Sequence, residues 1–117
     1  MTAASKQAIL DKHNELRRKV AKGEESGQPG AANMRKLVWN NELEAVAQRW
    51  SDQCNFGHDS VRDKLDGTKV GQNAYWGANS VQETNDQVQA GVNKATQAWY
   101  DEVTDPGFNS GSINPYV

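Results

Sequence analysis

The chain carries a single cysteine, Cys54, among 117 residues, which excludes an intramolecular disulfide. It has only two histidines, His13 and His58, so a zinc site built from His and Cys cannot be filled without carboxylates. There is no run of about 18 apolar residues to span a bilayer, and Met1 to Ser5 offers neither a charged leader nor an apolar signal core. The expectation is a soluble chain, mature or recombinant. No Asn-x-Ser/Thr sequon is present to report a secretory route. A Gly-x-Ser-x-Gly elbow is missing, and neither Gly71-Gln72-Asn73 nor Gly107 has the glycine spacing and following Lys or Ser/Thr of a phosphate loop. Excess positive charge is missing too. With a net charge of -2 and a pI near 5.6, no overall field draws the chain to nucleic acid or an anionic membrane.

What remains is a polar, one-domain chain with a mean hydropathy of -0.88. Its four Trp, three Tyr and two Phe argue against wholesale disorder, although they leave the core thin. Ile9, His13, Leu16 and Val20 recur at helical spacing, predicting an amphipathic helix from about Ser5 to Lys22 that ends at Gly23. Its basic stretch, Arg17, Arg18, Lys19 and Lys22, lies beside Glu15, Glu24 and Glu25 and reads as a solvated face with no binding role. Gly27, Pro29 and Gly30 place a loop over 24–32, and Met34 to Trp39 is a short apolar lead-in.

A second helix is expected from Asn40 or Asn41, with Asn41 and Glu44 as a capping-box-like pair and Gly57 at its far end. Leu43, Val46, Ala47, Trp50 and Cys54 would share its inner face, leaving Cys54 buried and inert. Val70 to Trp76, bounded by Gly71 and Gly77, is the one good strand candidate. Ser80 and Glu83 form a Ser-x-x-Glu capping box for a third helix running to about Val103, which Gly91 would bend or split. The tail after Asp105-Pro106-Gly107 shows no closing element. A lone strand leaves its backbone groups unpaired on both edges. It must therefore pair with a short piece such as Leu37 to Trp39, with residues beyond Val117, or with another chain, and self-association through it is expected.

Three residues are candidates for chemistry. His58 follows the second helix, where a helix C-terminus favours its protonated form. His13 lies on the apolar stripe of the first helix and reads as a core histidine satisfied by backbone. Glu102 falls on the stripe of Val88, Ala95 and Trp99. It is either a buried carboxylate in need of a partner or part of a frayed last turn that reaches water.

Taken in order, several segments resemble the CAP superfamily, the cysteine-rich secretory, antigen-five and pathogenesis-related type, and especially its arthropod venom-allergen branch. They are His13-Asn14-Glu15-Leu16-Arg17, Asn33-Met34 with Leu37-Val38-Trp39-Asn40, Glu42-Leu43 with Ala45 to Gln48, and Trp50 through Gln53-Cys54. Phe56-Gly57-His58-Asp59, Val70-Gly71-Gln72-Asn73 and Trp99-Tyr100-Asp101-Glu102 continue the series. The resemblance covers nearly all of residues 1–117 but only the amino-terminal part of the family domain.

It implies an α+β fold, an α-β-α sandwich here truncated to mostly helices with one clear strand, and a cleft gathering two histidines and two acidic positions. His58 matches the first histidine, Gln72 stands where many relatives have the first glutamate, and Glu102 matches the second. His13, Asn14, Arg17, Trp50, Cys54 and Trp99 match structural positions. The second family histidine, on a Gly-His-Tyr-Thr-Gln-like strand, and the remaining strands are expected after Val117. The family partner of Cys54 has no counterpart in Met1 to Ser5, and Val61 stands where wasp and ant relatives have cysteine, so a free thiol is implied.

By the same resemblance the protein is a secreted, non-enzymatic one that binds a small apolar ligand, a sterol or fatty acid, or a host protein. Trp39, Trp50, Trp76 and Trp99 could line an apolar groove, and core packing explains them equally well. The alternative is a divalent-metal-dependent hydrolase using the cleft of the full-length protein, with zinc as its cofactor. Against it, Gln72 cannot act as a base, and His58 alone makes a weak, incomplete metal site.

Overall fold

The computed structural model describes residues 1–78, 80 and 84–107. Among these the regular elements are helix α1 (Ala3–Ala21), helix α2 (Asn41–Ser51), helix α3 (Asn85–Asp101) and a single π-helical turn, Val103–Gly107. The chain divides into two compact units. The first joins Met1–Leu37 to Glu83–Val117, and the second is Val38–Gln82.

In the first unit, α1 begins where the Thr2 hydroxyl accepts the Ser5 amide at 3.1 Å. It ends at Lys22, followed by Gly23 at φ 72°, a left-handed position that favours glycine. The Glu24 amide then donates to the Lys19 carbonyl at 3.0 Å, and Ala31 returns to donate to Ala21 at 3.3 Å. Gly30 lies so close at this return that an added Cβ would sit 3.3 Å from the Ala21 carbonyl oxygen. Helix α3 packs on α1 around a small core whose buried apolar members are Leu16 and Ala95. Ser5, Asn14, Glu25 and Thr96 are buried with them, so the interior is as much hydrogen-bonded as apolar.

The third helix departs from its expected start. Its cap is Thr84, paired reciprocally with Gln87, rather than Ser80, which lies in a bend; Glu83 lies outside the described residues. Thr-x-x-Gln satisfies the same two orphan amides as Ser-x-x-Glu, and the pair nearer the apolar stripe is the one used. Gly91 does not split the helix, which ends at Asp101 with Glu102 as its C-cap.

In the second unit, α2 is capped by Asn40, whose side chain accepts the Leu43 amide at 3.0 Å. The cap is Asn40 and not Asn41, and Glu44 accepts the Trp39 indole N–H at 2.8 Å. The helix stops at Ser51, well short of Gly57, and a tight turn leaves Cys54 at φ 51° with its thiol exposed. The expectation of a buried Cys54 on the inner face is thereby corrected: three residues past the last helical one, the 3.6-residue period no longer aims it. No residue of α2 is fully buried, and Trp50 is half-buried.

Residues 70–78 form no strand, and none occurs among the described residues. This corrects the one-strand expectation. A strand exists only through ladder hydrogen bonds to a neighbour, and neither Leu37 to Trp39 nor any other described segment supplies a ladder.

Candidate functional site

The second unit is organised by polar side chains. Asp59 is its buried residue, at 3% exposure, and its carboxylate is held by the Arg49 guanidinium and by the Val61 amide at 2.8 Å. The Val61 bond is an Asx-turn, in which an aspartate caps the backbone two residues on. That bond, followed by the Arg49 contact, holds the Asp59 carboxyl below its usual range. Arg49 also reaches the Val61 carbonyl at 3.0 Å. Arg62 ties the Asp59 carbonyl, at 2.9 Å, to the Val70 carbonyl, at 3.0 Å. The Trp50 indole closes the far side by donating to the Gly57 carbonyl at 2.8 Å.

This frame brings His58 and Gln72 together. The Gln72 side-chain oxygen accepts the Asp59 amide at 2.9 Å and lies 3.1 Å from His58 Nδ1. Because a backbone N–H can only donate, it fixes which end of the Gln72 amide faces the pair. His58 Nδ1 must then carry its proton toward Gln72, which leaves Nε2 on the exposed imidazole as the atom able to accept one. Two donors thus converge on one neutral oxygen where a carboxylate would have supplied a charge.

Glu102 belongs to the first unit and is exposed at the end of α3, where its carbonyl accepts the Gly107 amide at 3.0 Å. Of the two readings of Glu102, the solvent-reaching last turn is the one found. His13 is half-buried, with Nδ1 2.8 Å from the Ile9 carbonyl and its ring tilted against Trp99 at 6.3 Å, the satisfied histidine expected of that stripe. Asn14 and Arg17 tether the segment that follows the loop. Asn14 exchanges two bonds with Leu37, and Arg17 places Nε and Nη2 on the Arg35 carbonyl at 2.9 and 2.8 Å.

The described residues hold no group of three His, Cys, Asp or Glu side chains placed to bind a metal ion. Among the described residues zinc finds no donor set at this site: His58 presents one imidazole, its neighbour Gln72 is neutral, and the Asp59 carboxylate is engaged by Arg49 and Val61. The Asp59 hub itself was not singled out from the sequence. Its signal was the acid two residues before Val61, an Asx-turn spacing, but the partner Arg49 lies on another element and only folding pairs them.

The chain belongs to the CAP family, the cysteine-rich secretory protein family, whose model matches residues 10–113. It is 43% identical over 110 residues to venom allergen 5 of Vespula flavopilosa, covering 90% of this chain and 51% of that protein. To the venom allergen 3 homolog of Dinoponera quadriceps it is 41% identical over 108 residues, 88% of this chain and 44% of that one. Cysteine-rich secretory protein 3 of Homo sapiens is 37% identical over 107 residues, 92% of this chain and 37% of the human protein. The chain thus spans about half the length of the insect relatives it matches. No solved structure is a significant match.

Proposed function

We propose that this chain is part of a secreted CAP protein that works by binding rather than by catalysis, holding a small apolar ligand such as a sterol or fatty acid, or a host protein. The observation that carries the proposal is the neutral Gln72 oxygen shared by His58 and Asp59, because a general base or metal ligand at that position needs a carboxylate. Exposed apolar side chains in the second unit, Val38, Phe56 and Trp76 among them, supply surface for an apolar partner. Secretion is inferred from relatives named venom allergen and cysteine-rich secretory protein. The architecture we infer for the whole domain is the α-β-α sandwich, in which 70–76 becomes a strand once a second strand lies beside it. That pairing can also come from another copy of the chain.

Displacement of a fluorescent sterol and a fluorescent fatty acid tests the proposal, run beside hydrolysis of a peptide substrate with and without zinc. Saturable binding of either probe with no turnover is expected. Zinc-dependent turnover that disappears in His58→Ala would overturn the non-catalytic reading.

A further inference from the structure

The first unit contains a groove of about 190 Å³ lined by Asn14, Arg17, Arg18, Ala21, Met34, Arg35 and Lys36. One wall is a face of α1, since positions 14, 17, 18 and 21 lie three and four apart. The other wall is the returning segment 34–36, pinned by Arg17 on the Arg35 carbonyl and by Asn14 on Leu37. Four of the seven lining residues are cationic, in a chain whose net charge is -2.

At least six of the nine other Lys and Arg residues make ion pairs with carboxylates. Lys12 pairs with Glu15, Lys19 with Glu25, Lys22 with Glu24, Arg49 with Asp59, Lys64 with Glu42 and Asp66, and Lys69 with Asp63. Arg17, Arg18, Arg35 and Lys36 have no carboxylate partner among the described residues. The basic stretch that looked like one solvated face is therefore split by folding. Lys19 and Lys22 are neutralised across the loop, while Arg17 and Arg18 turn toward Arg35 and Lys36. Like charges collected in one groove repel one another, and a multivalent anion relieves that repulsion. Arginine forks suit the planar or tetrahedral oxygens of such an anion.

We propose that this groove binds a small polyol or sugar bearing two or more sulfate or phosphate esters. His58 and Gln72 belong to the other unit, and the site does not depend on the apolar ligand inferred above. Arg17 is a positioning residue: with Nε and Nη2 committed to Arg35, it sets the wall, while Arg18, Arg35 and Lys36 supply the charge.

Calorimetry of the 117-residue chain with sucrose octasulfate and with inorganic pyrophosphate tests the proposal and separates sulfate from phosphate as the anion source. Saturable binding of at least one is expected, weakening about 10-fold or more between 0.05 and 0.3 M NaCl, as screening of charge pairs demands. Arg18→Gln with Lys36→Gln should weaken it about 10-fold, whereas Lys69→Gln with Lys94→Gln, which removes the same charge elsewhere, should leave it unchanged. Amide shifts in the unaltered chain, mapped by NMR during the titration, must fall on Arg18, Arg35 and Lys36, and this readout stands even if a variant fails to fold. No binding of either anion, equal weakening in both double variants, or shifts lying elsewhere would overturn the site.

Discussion

Truncation of Asn14 probes the joint that fixes segment 35–37 to α1. Asn14 is 6% exposed, and its amide closes a two-bond ring with Leu37, Nδ2 donating to the carbonyl at 3.1 Å and Oδ1 accepting the amide at 2.7 Å. The ring works as one rung of backbone pairing supplied by a side chain across 23 residues. Each such bond contributes about 0.5 to 1.5 kcal/mol net. Removing both in Asn14→Ala strands the peptide groups of Leu37, but that residue is 38% exposed, so water replaces part of the loss. The Arg17 bonds to Arg35 remain as a second tether. The expected cost is about 1 to 3 kcal/mol by urea unfolding, with the Leu37 amide exchanging faster than the global change requires. Asn14→Asp should not rescue it, since a carboxylate keeps the acceptor but faces the Leu37 carbonyl with a like charge. A loss within about 0.3 kcal/mol in Asn14→Ala, with Leu37 exchange unaltered, would refute the reasoning.

Other perturbations follow from the same contacts. Gln72→Leu leaves the Asp59 amide without its acceptor, so exchange at that amide should quicken about 5- to 30-fold while α1 and α3 retain their protection. Leu16→Ala should destabilise the first unit by about 2 to 3 kcal/mol in urea, toward the low end for core truncations because the buried apolar core there is small. The exposed Cys54 thiol should label rapidly with a polar thiol reagent under native conditions, and slow labelling would mean that its turn packs differently. Stability should fall at both ends of the pH scale. The Glu25 carboxyl is held below its ordinary 4.5 by Lys19 and then Tyr100, and that of Asp63 below 3.8 by Lys69, so their contribution is present above those values and is lost on acidification. Burial, and then Glu25, pushes the Tyr100 hydroxyl up to about 12, so its contribution is full below 10.0 and is lost as pH rises through 12; thermal melts across pH 3 to 12 check both limbs.

Helix existence was legible because the 3.6-residue period is a local property of the chain. Ile9, His13 and Leu16 announced α1, Gly23 its end, and Trp99 the stripe of α3. The satisfied state of His13 was legible for the same reason, since its partner lies one turn away in the same helix. Caps were read with the right chemistry: the start of α2, left open between Asn40 and Asn41, is capped by Asn40, while α3 is capped by Thr84 and not by Ser80, because neighbouring polar residues offer equivalent oxygens and packing chooses among them.

Burial and pairing needed the tertiary structure. Periodicity placed Cys54 inward and left Glu102 undecided, yet Cys54 lies past the end of α2 in a left-handed turn and Glu102 is the exposed C-cap of α3. Val70 to Trp76 has the composition of a strand, but strand formation is decided by a neighbour's backbone and not by the segment itself. The meeting of His58 with Gln72, of Arg49 with Asp59, and of Arg17 and Arg18 with Arg35 and Lys36 joins residues 10 to 18 positions apart, or brings two elements to one groove. The sequence by itself determined which residues carry charge and where helices run; only folding decided which charges were neutralised and which were left facing an open groove.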